Sequence, residues 1–245
     1  MFFSITIGHS TTWAGDAVLS IIIPVLNEAP GIVATLDALQ PLRAAGHEII
    51  VADGGSTDDS RERSIDRVDA WVPSPRGRAV QMNAGAARAR GDVLLFLHAD
   101  TALPPGFERL IEAGVIKGPR LWGRFDVNIE GESRWLGVIA WFMNQRSRLT
   151  GIATGDQAIF VRRAVFESID GYAPIPLMED IELCSRLKRL CAPLCLRAKV
   201  RTSGRRWEKH GVFRVMALMW WLRFRYFVGA PPEELARVYY RGDGK

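Results

Sequence analysis

Leu94-Leu95-Phe96-Leu97-His98-Ala99-Asp100-Thr101 is a continuous apolar run that ends in histidine, alanine and aspartate. A run of this length, bounded by polar residues, reads as a strand buried on both faces. A carboxylate at the C-terminal end of such a strand lies where open α/β sheets bind their ligands. The same arrangement occurs earlier, where Ile49-Ile50-Val51-Ala52 leads into Asp53-Gly54-Gly55-Ser56-Thr57-Asp58-Asp59. Two carboxylate-tipped strands in one parallel sheet place Asp53 and Asp100 on the same edge. That edge is the candidate site.

Upstream, residues 18–24 are an apolar, β-branched run closed by Pro24, a first strand. Pro30 suits the first turn of a helix, Ile32, Leu36 and Leu39 share one of its faces, and Pro41 marks its expected limit. Ser56 and Asp58 are expected to cap a helix through Arg67. Residues 69–72 read as a short strand, 77–90 as an alanine-rich helix, and the next strand runs to Asp100, so that His98 and Asp100 project to one side. Strands alternating with helices imply right-handed crossovers and a mainly parallel, Rossmann-like sheet. No GxGxxG follows the first strand, which disfavours a dinucleotide-binding oxidoreductase.

The pattern changes beyond Pro104-Pro105. Phe125, Val127 and Ile129 alternate with Arg124, Asp126 and Asn128, which predicts a half-buried, antiparallel strand. Residues 135–148 read as an apolar helix and 158–161 as a short strand. An amphipathic helix is predicted over residues 179–190, with Ile181, Cys184, Leu187 and Leu190 in one stripe and Glu182, Arg186 and Lys188 opposite.

The 245 residues, 48% hydrophobic and 24% charged, suit a globular α/β domain with an elaborated second half. The net charge of +5 draws on a cluster of Arg197, Lys199, Arg201, Arg205, Arg206 and Lys209. Such a cluster fits an anionic ligand or a membrane surface. It is short for a nucleic-acid groove and carries no recognition motif, so no nucleic-acid partner is expected. Cys184, Cys191 and Cys195 lack the paired spacing of a structural zinc site and read as small buried residues of a reducing compartment, hence a cytoplasmic protein. Residues 1–17 include Phe2-Phe3-Ser4-Ile5-Thr6-Ile7 but no basic flank and no cleavage site, and read as a poorly ordered tail rather than a signal peptide. Residues 212–228 are rich in aromatics and are interrupted by Arg214, Arg223 and Arg225. Their uncharged stretch is too short to span a bilayer. It suits a helix at a membrane interface (the inner face, for a cytoplasmic protein), one packed on the catalytic domain, or one packed on a second subunit.

Each candidate site residue has a structural alternative. Asp53-Gly54 is turn chemistry, but an aspartate at a strand end before glycines also lets a ligand approach the backbone. Asp100 either caps the chain entering Pro104-Pro105 or helps hold a divalent cation on a diphosphate. His98 is a core histidine or a ligand. Ser74-Pro75-Arg76-Gly77-Arg78 is a solvated loop or, ahead of a helix N-terminus, a phosphate site. Glu179 and Asp180 satisfy a helix dipole or include a general base, and Gly155-Asp156-Gln157 is placed to meet an acceptor.

Taken together and in order, four stretches resemble the inverting, GT-A type family 2 glycosyltransferases over residues 19–211. They are Ser20-Ile21-Ile22-Ile23-Pro24-Val25-Leu26-Asn27-Glu28, Val51-Ala52-Asp53-Gly54-Gly55-Ser56-Thr57-Asp58, Arg90-Gly91-Asp92-Val93-Leu94-Leu95-Phe96-Leu97-His98-Ala99-Asp100-Thr101, and Glu179-Asp180. The resemblance implies an α/β GT-A fold, a Rossmann-like mainly parallel sheet flanked by helices, with an antiparallel acceptor-side extension and C-terminal helices. Its implied division is a catalytic domain over 18–211, nucleotide-binding over 18–103 and acceptor-binding over 104–211, followed by an apolar helical segment over 212–245. It implies that Pro24, Val25, Asn27, Glu28, Asp53 and Gly54 hold the nucleoside of a nucleotide sugar, UDP-linked by expectation. Arg76, Arg78 and Asn83 match a nucleotide-contacting segment.

His98-Ala99-Asp100 stands where the family has DxD, which leaves Asp100 as the surer ligand of Mn or Mg and His98 or His210 as further candidates. Asp180, beside Glu179, maps onto the catalytic base. Arg205-Arg206-Trp207 resembles the Q/RxxRW element of processive relatives, suited to the leaving diphosphate. Trp122, Gly155, Asp156 and Gln157 fall in segments assigned to the acceptor or diphosphate. From His98 through Trp122-Gly123-Arg124-Phe125 and Gly155-Asp156-Gln157 to Arg205-Arg206-Trp207-Glu208, the pattern is similar to a bacterial subgroup, the radical-SAM or selenodomain-associated and arsenosugar-type transferases. The expected reaction is direct displacement of the nucleoside diphosphate by an unidentified acceptor. The competing expectations are a nucleotidyltransferase and a non-catalytic nucleotide-sugar-binding protein.

Overall fold

The structure, a computed structural model, describes residues 17–241. The expected N-terminal tail therefore lies outside the described residues except for Ala17, which is buried. In chain order the elements are β1 Leu19–Val25, α1 Ile32–Ala44, β2 Glu48–Asp53, β3 Ala70–Pro73, α2 Arg78–Arg88, β4 Val93–Phe96, β5 Thr101–Ala102, α3 Phe107–Ile111, β6 Trp122–Glu130 and α4 Trp135–Thr150. They continue with β7 Phe160–Arg162, α5 Arg163–Ser168, α6 Glu179–Leu190, β8 Leu194–Ser203, α7 Arg205–His210, α8 Val212–Phe227 and α9 Pro232–Tyr240.

One 8-stranded sheet runs β3-β2-β1-β4-β7-β6-β8-β5. Its first four strands are parallel. β7 then runs antiparallel to both β4 and β6, β6 and β8 pair in parallel, and β5 closes the far edge antiparallel to β8. The sheet is thus parallel from β3 to β4 and mixed beyond, and β5, although within the expected nucleotide-binding half, lies at the far edge. Alternate strand residues feed two layers. Ile21 and Ile23 of β1 join Leu36, Val51, Leu95, Phe125 and Val200 on one face. Ile22 joins Ile50, Met82, Leu94, Phe96 and Leu183 on the other.

Several expectations are corrected. The first helix continues one turn past Pro41 to Ala44. No α-helix fills residues 56–67, where there is only a 3-10 turn at Ile65–Arg67. The expected caps bond elsewhere: Ser56 Oγ accepts from the Asn27 amide at 3.0 Å, and Asp58 accepts from the Ala29 amide at 3.0 Å and from Ser60. These bonds tie the loop after β2 to the loop after β1.

β4 stops at Phe96 rather than Asp100. The Thr101 amide reaches back to the His98 carbonyl at 3.1 Å, so His98-Ala99-Asp100-Thr101 is a turn and strand alternation does not set its side chains. The alternating strand β6 is buried on both faces, because Arg124 and Asp126 pair with each other inside and Arg148 closes on the same carboxylate. It is antiparallel to β7 alone. In α6 the buried residues are Glu179, Leu183, Cys184 and Leu187, while Leu190 is exposed.

Candidate active site

The C-terminal ends of β1 and β4, the start of α2, the turn at residues 154–156, the first turn of α6 and helices α4, α7, α8 and α9 enclose a cleft of about 1660 Å³. Ligand pockets for one small molecule span roughly 300–1,000 Å³, so this one has room for two. Its basic groups are Arg76, Arg78, Arg146, Arg205, Arg206, Lys209 and Arg223, and its acidic groups are Glu28, Asp100, Asp156, Glu179 and Asp180. The excess of cations suits an anionic ligand.

At the sheet edge, Pro24, Val25 and Glu28 come from the end of β1, and His98, Ala99 and Asp100 from the turn after β4. Arg205 of α7 spans two of these acids, its Nη2 lying 3.6 Å from Glu28 Oε2 and 3.5 Å from Asp100 Oδ2. His98 turns away from Asp100, with its Nδ1 3.3 Å from Asp156 Oδ1. The ring presses on Gly155, where a Cβ would come within 2.5 Å of His98 Nε2. Glycine is the residue that permits this approach. Burial works against charge on Asp156, but the His98 hydrogen bond and the nearby His98, Arg78 and Arg206 outweigh it and hold its pKa below the usual value.

Asp180 is the opposite case. Its Oδ2 accepts from the Gly155 amide at 2.9 Å and its Oδ1 from the Ile181 amide at 2.7 Å. Those donors favour the carboxylate, but burial, the neighbouring Glu179 and then Asp156 outweigh them, and its pKa is raised to about 6. A carboxyl poised there can take a proton near neutral pH. Met178, directly before α6, adopts φ 70° and turns the chain so that Glu179 and Asp180 open the helix at the cleft.

Gly155, Asp156, Glu179, Asp180, Arg76, Arg78, Arg205, Arg206, Trp207 and His210 line the same cleft as the sheet-edge residues. Asn27, Asp53, Gly54, Asn83, Trp122 and Gln157 do not. Asp53 Oδ1 accepts from Ser56 N and Oγ at 3.0 and 2.6 Å, Asn27 Oδ1 from the Thr57 amide at 2.8 Å, and the Gly54 amide reaches the Val25 carbonyl at 2.9 Å. These three shape the rim loops. The Asn83 amide is matched in both directions to the Tyr172 backbone, at 2.8 and 2.9 Å. The Trp122 indole donates to the Cys191 carbonyl at 2.8 Å, and Gln157 is buried against Asn144 and the Phe125 carbonyl.

Residues not anticipated also contribute. Gln81 bridges the Val25 and Ala52 carbonyls at 2.8 and 2.9 Å and so joins the ends of β1 and β2 beneath the cleft. It hid in an alanine-rich helix with no motif. Tyr239 of α9 stacks under Arg206, whose Cζ lies 3.9 Å from the ring centroid. Arg146 lines the cleft from α4, inside what read as an apolar helix. The residues 212–228 pack on this domain: Leu222 of α8 and Leu235 of α9 form a small core with Met178.

Among the described residues, no group of three or more His, Cys, Asp or Glu side chains could hold a metal ion by itself. Nor is any of their helices long and apolar enough to cross a membrane.

Comparison with known proteins shows the family. The family described as Glycosyl transferase family 2 matches residues 20–169. The chain belongs to glycosyl transferase family 2. It is 30% identical over 240 residues to an uncharacterized glycosyltransferase of Mycobacterium tuberculosis, covering 91% of this chain and 90% of that one. Its fold is similar to that of glucosyl-3-phosphoglycerate synthase from M. tuberculosis, solved in complex with Mn2+, UDP and glucosyl-3-phosphoglycerate (TM-score 0.56, 22% identity, 75% of this chain and 70% of that one). It is likewise similar to S. aureus TarS residues 1–349 in complex with UDP-GlcNAc (TM-score 0.60, 16% identity, 76% of this chain, 58% of that one). The protein is therefore a family 2 glycosyltransferase of GT-A-like fold.

Proposed function

We propose that this enzyme moves a sugar from a nucleoside-diphosphate sugar, UDP-linked, to an acceptor by direct displacement, with Asp180 as the base. The observation that carries the reading is the Asp180 carboxyl, held on the Gly155 amide with its pKa raised to about 6, in a cleft shared with the sheet-edge residues and the arginines. The nucleoside would lie over Pro24, Val25 and Glu28, walled by the loops that Asp53, Gly54 and Asn27 shape. Its diphosphate would lie among Arg76, Arg78, Arg205 and Arg206. Asp180 takes the acceptor proton as the anomeric carbon is attacked, and the guanidinium groups offset the charge that develops on the leaving diphosphate. The motifs around His98, Trp122, Gly155 and Arg205 are the basis for the bacterial radical-SAM-associated and arsenosugar-type subgroup, and the cysteine usage for a cytoplasmic setting.

A divalent ion fits this donor set only as one shared with the substrate. Hard cations of the Mg2+ type are bound through one or two carboxylates plus phosphate oxygens, and Asp100 is the side chain that would supply the protein oxygen. His98 is held on Asp156, and His210 lies on α7 at the cleft wall. When bound, the ion would neutralise charge on the diphosphate.

Calorimetric titration with UDP, with and without Mn2+, tests the donor side, followed by product analysis with UDP-sugars. Glycosyl transfer releases UDP. Release of pyrophosphate from a nucleoside triphosphate would favour the nucleotidyltransferase alternative, and UDP binding without turnover of any donor would favour a binding protein. No heat with UDP under either condition sinks the reading.

A further inference from the structure

Beyond the nucleotide edge the cleft continues between α4 and α8, and its walls there are apolar. Val138, Phe142 and Met143 face it from α4, and Met216, Met219 and Trp220 from α8. Trp135 and Phe213 close one end in an edge-to-face contact, ring centroids 5.4 Å apart. Although they line a cleft, Phe142 and Trp220 stay 55% and 68% exposed, which leaves the groove open to an apolar occupant.

Two arginines interrupt this surface, Arg146 of α4 and Arg223 of α8. Arg146 lies one turn from Phe142 and Met143 on α4, and its Nε and Nη2 are buried without a hydrogen-bond partner. Burial pushes its pKa down, and Asp180 is among the groups that support its charge. Buried guanidinium nitrogens left unpaired are costly, and their geometry matches a phosphate or carboxylate. An anion at this point would sit beside the proposed base with an apolar channel leading away from it.

We infer that the acceptor is a single-chain anionic amphiphile, a lipid phosphate, with its headgroup on Arg146 and its hydrocarbon chain between α4 and α8. A phosphate oxygen bonds to the anomeric carbon as the bond to the departing UDP oxygen breaks, and the proton of the phosphate monoanion passes to Asp180. The charge of Arg146, Arg223 and Lys209 on the cleft complements such a headgroup, and the groove is continuous with the reaction cavity. The inference rests on the glycosyltransferase reading and names its acceptor class.

Intrinsic tryptophan fluorescence of the full-length protein, titrated with hexyl, octyl and decyl phosphate below their micellar concentrations, tests it. Inorganic phosphate and decanol are the controls, and UDP binding is measured in parallel. A dry groove gains about fourfold in affinity per added methylene, so a steep ladder from hexyl to decyl phosphate is expected. Arg146→Gln should weaken decyl phosphate at least tenfold, and Phe142→Ser should flatten the ladder, both with UDP binding kept. A ladder flat in the wild type overturns the inference, as does decanol or inorganic phosphate binding as tightly as decyl phosphate. If Arg146→Gln also loses UDP, the ladder and the surface variant Phe142→Ser decide. UDP binding without amphiphile binding sinks the acceptor and spares the donor reading. Amphiphile binding without UDP does the reverse.

Discussion

Glu48 and Asp180 are both carboxylates in contact with backbone amides at the ends of structural elements, but they lie at opposite edges of the sheet and are treated oppositely. Glu48 begins β2 and accepts from Ser20 Oγ at 2.5 Å, from Arg90 N and Nε at 2.7 Å each and from Gly91 N at 3.1 Å. Burial works against its charge, yet these donors overcome it and its pKa lies below the usual carboxylate value. Asp180 has two amide donors and two acidic neighbours, and its pKa goes up. A carboxylate surrounded by donors holds strands together. One left short of them, among like charges and facing a cleft, keeps an affinity for a proton that chemistry can use.

The sharpest way to break this contrast is Asp180→Asn. Removing a positioned base is expected to lower the transfer rate by about 10²–10⁴-fold, with UDP binding retained in a parallel titration. In the wild type the rate should also fall as pH drops through about 6, the value to which Asp180 is raised, since the protonated carboxyl cannot accept the acceptor's proton. A pH profile flat through that range, or normal turnover by the variant, removes Asp180 from the base role.

Glu48→Gln tests the structural side. It replaces a charge-assisted acceptor by a neutral one, and a loss of about 2 kcal/mol in chemical denaturation is expected. A depressed carboxylate pKa contributes stability that is present above its unfolded value and lost as pH falls through the folded one. The wild type should therefore lose its advantage over the variant in the acid range below the reference value of 4.5. An advantage unchanged there would show that the charge is not what ties the strands.

The smallest effect is expected at Arg205, whose side chain is 62% exposed where it spans Glu28 and Asp100. Exposed ion pairs contribute about 0–1 kcal/mol, so Arg205→Gln should leave the thermal midpoint nearly unchanged. A large drop would mean that Arg205 braces the site as Glu48 braces the opposite edge.

Much of the architecture was legible because buried strands and amphipathic helices print their period on the chain. The run into His98-Ala99-Asp100, the run into Asp53 and the helix at Glu179 each appear where their patterns put them, within a few residues. The reading failed where polar side chains had more than one partner to choose from. Ser56 and Asp58 looked like helix caps and instead lace two loops together. Arg124 and Asp126 looked like a solvent face and instead neutralise each other inside. Asn83 matched a nucleotide-contacting segment by position, yet its amide is taken up by the Tyr172 backbone.

The parallel first half of the sheet and the family were written in the sequence alone, because both follow from local periodicity and from motifs carried in short stretches. Long-range packing set His98 against Asp156 rather than Asp100, joined two strand ends through Gln81, and folded α8 and α9 over the cleft. It also left two guanidinium nitrogens of Arg146 buried without a hydrogen-bond partner in the cleft that Asp180 lines. Those outcomes depend on contacts between residues far apart in the chain, where burial and the nearest partner, not the residue's own propensity, set the balance.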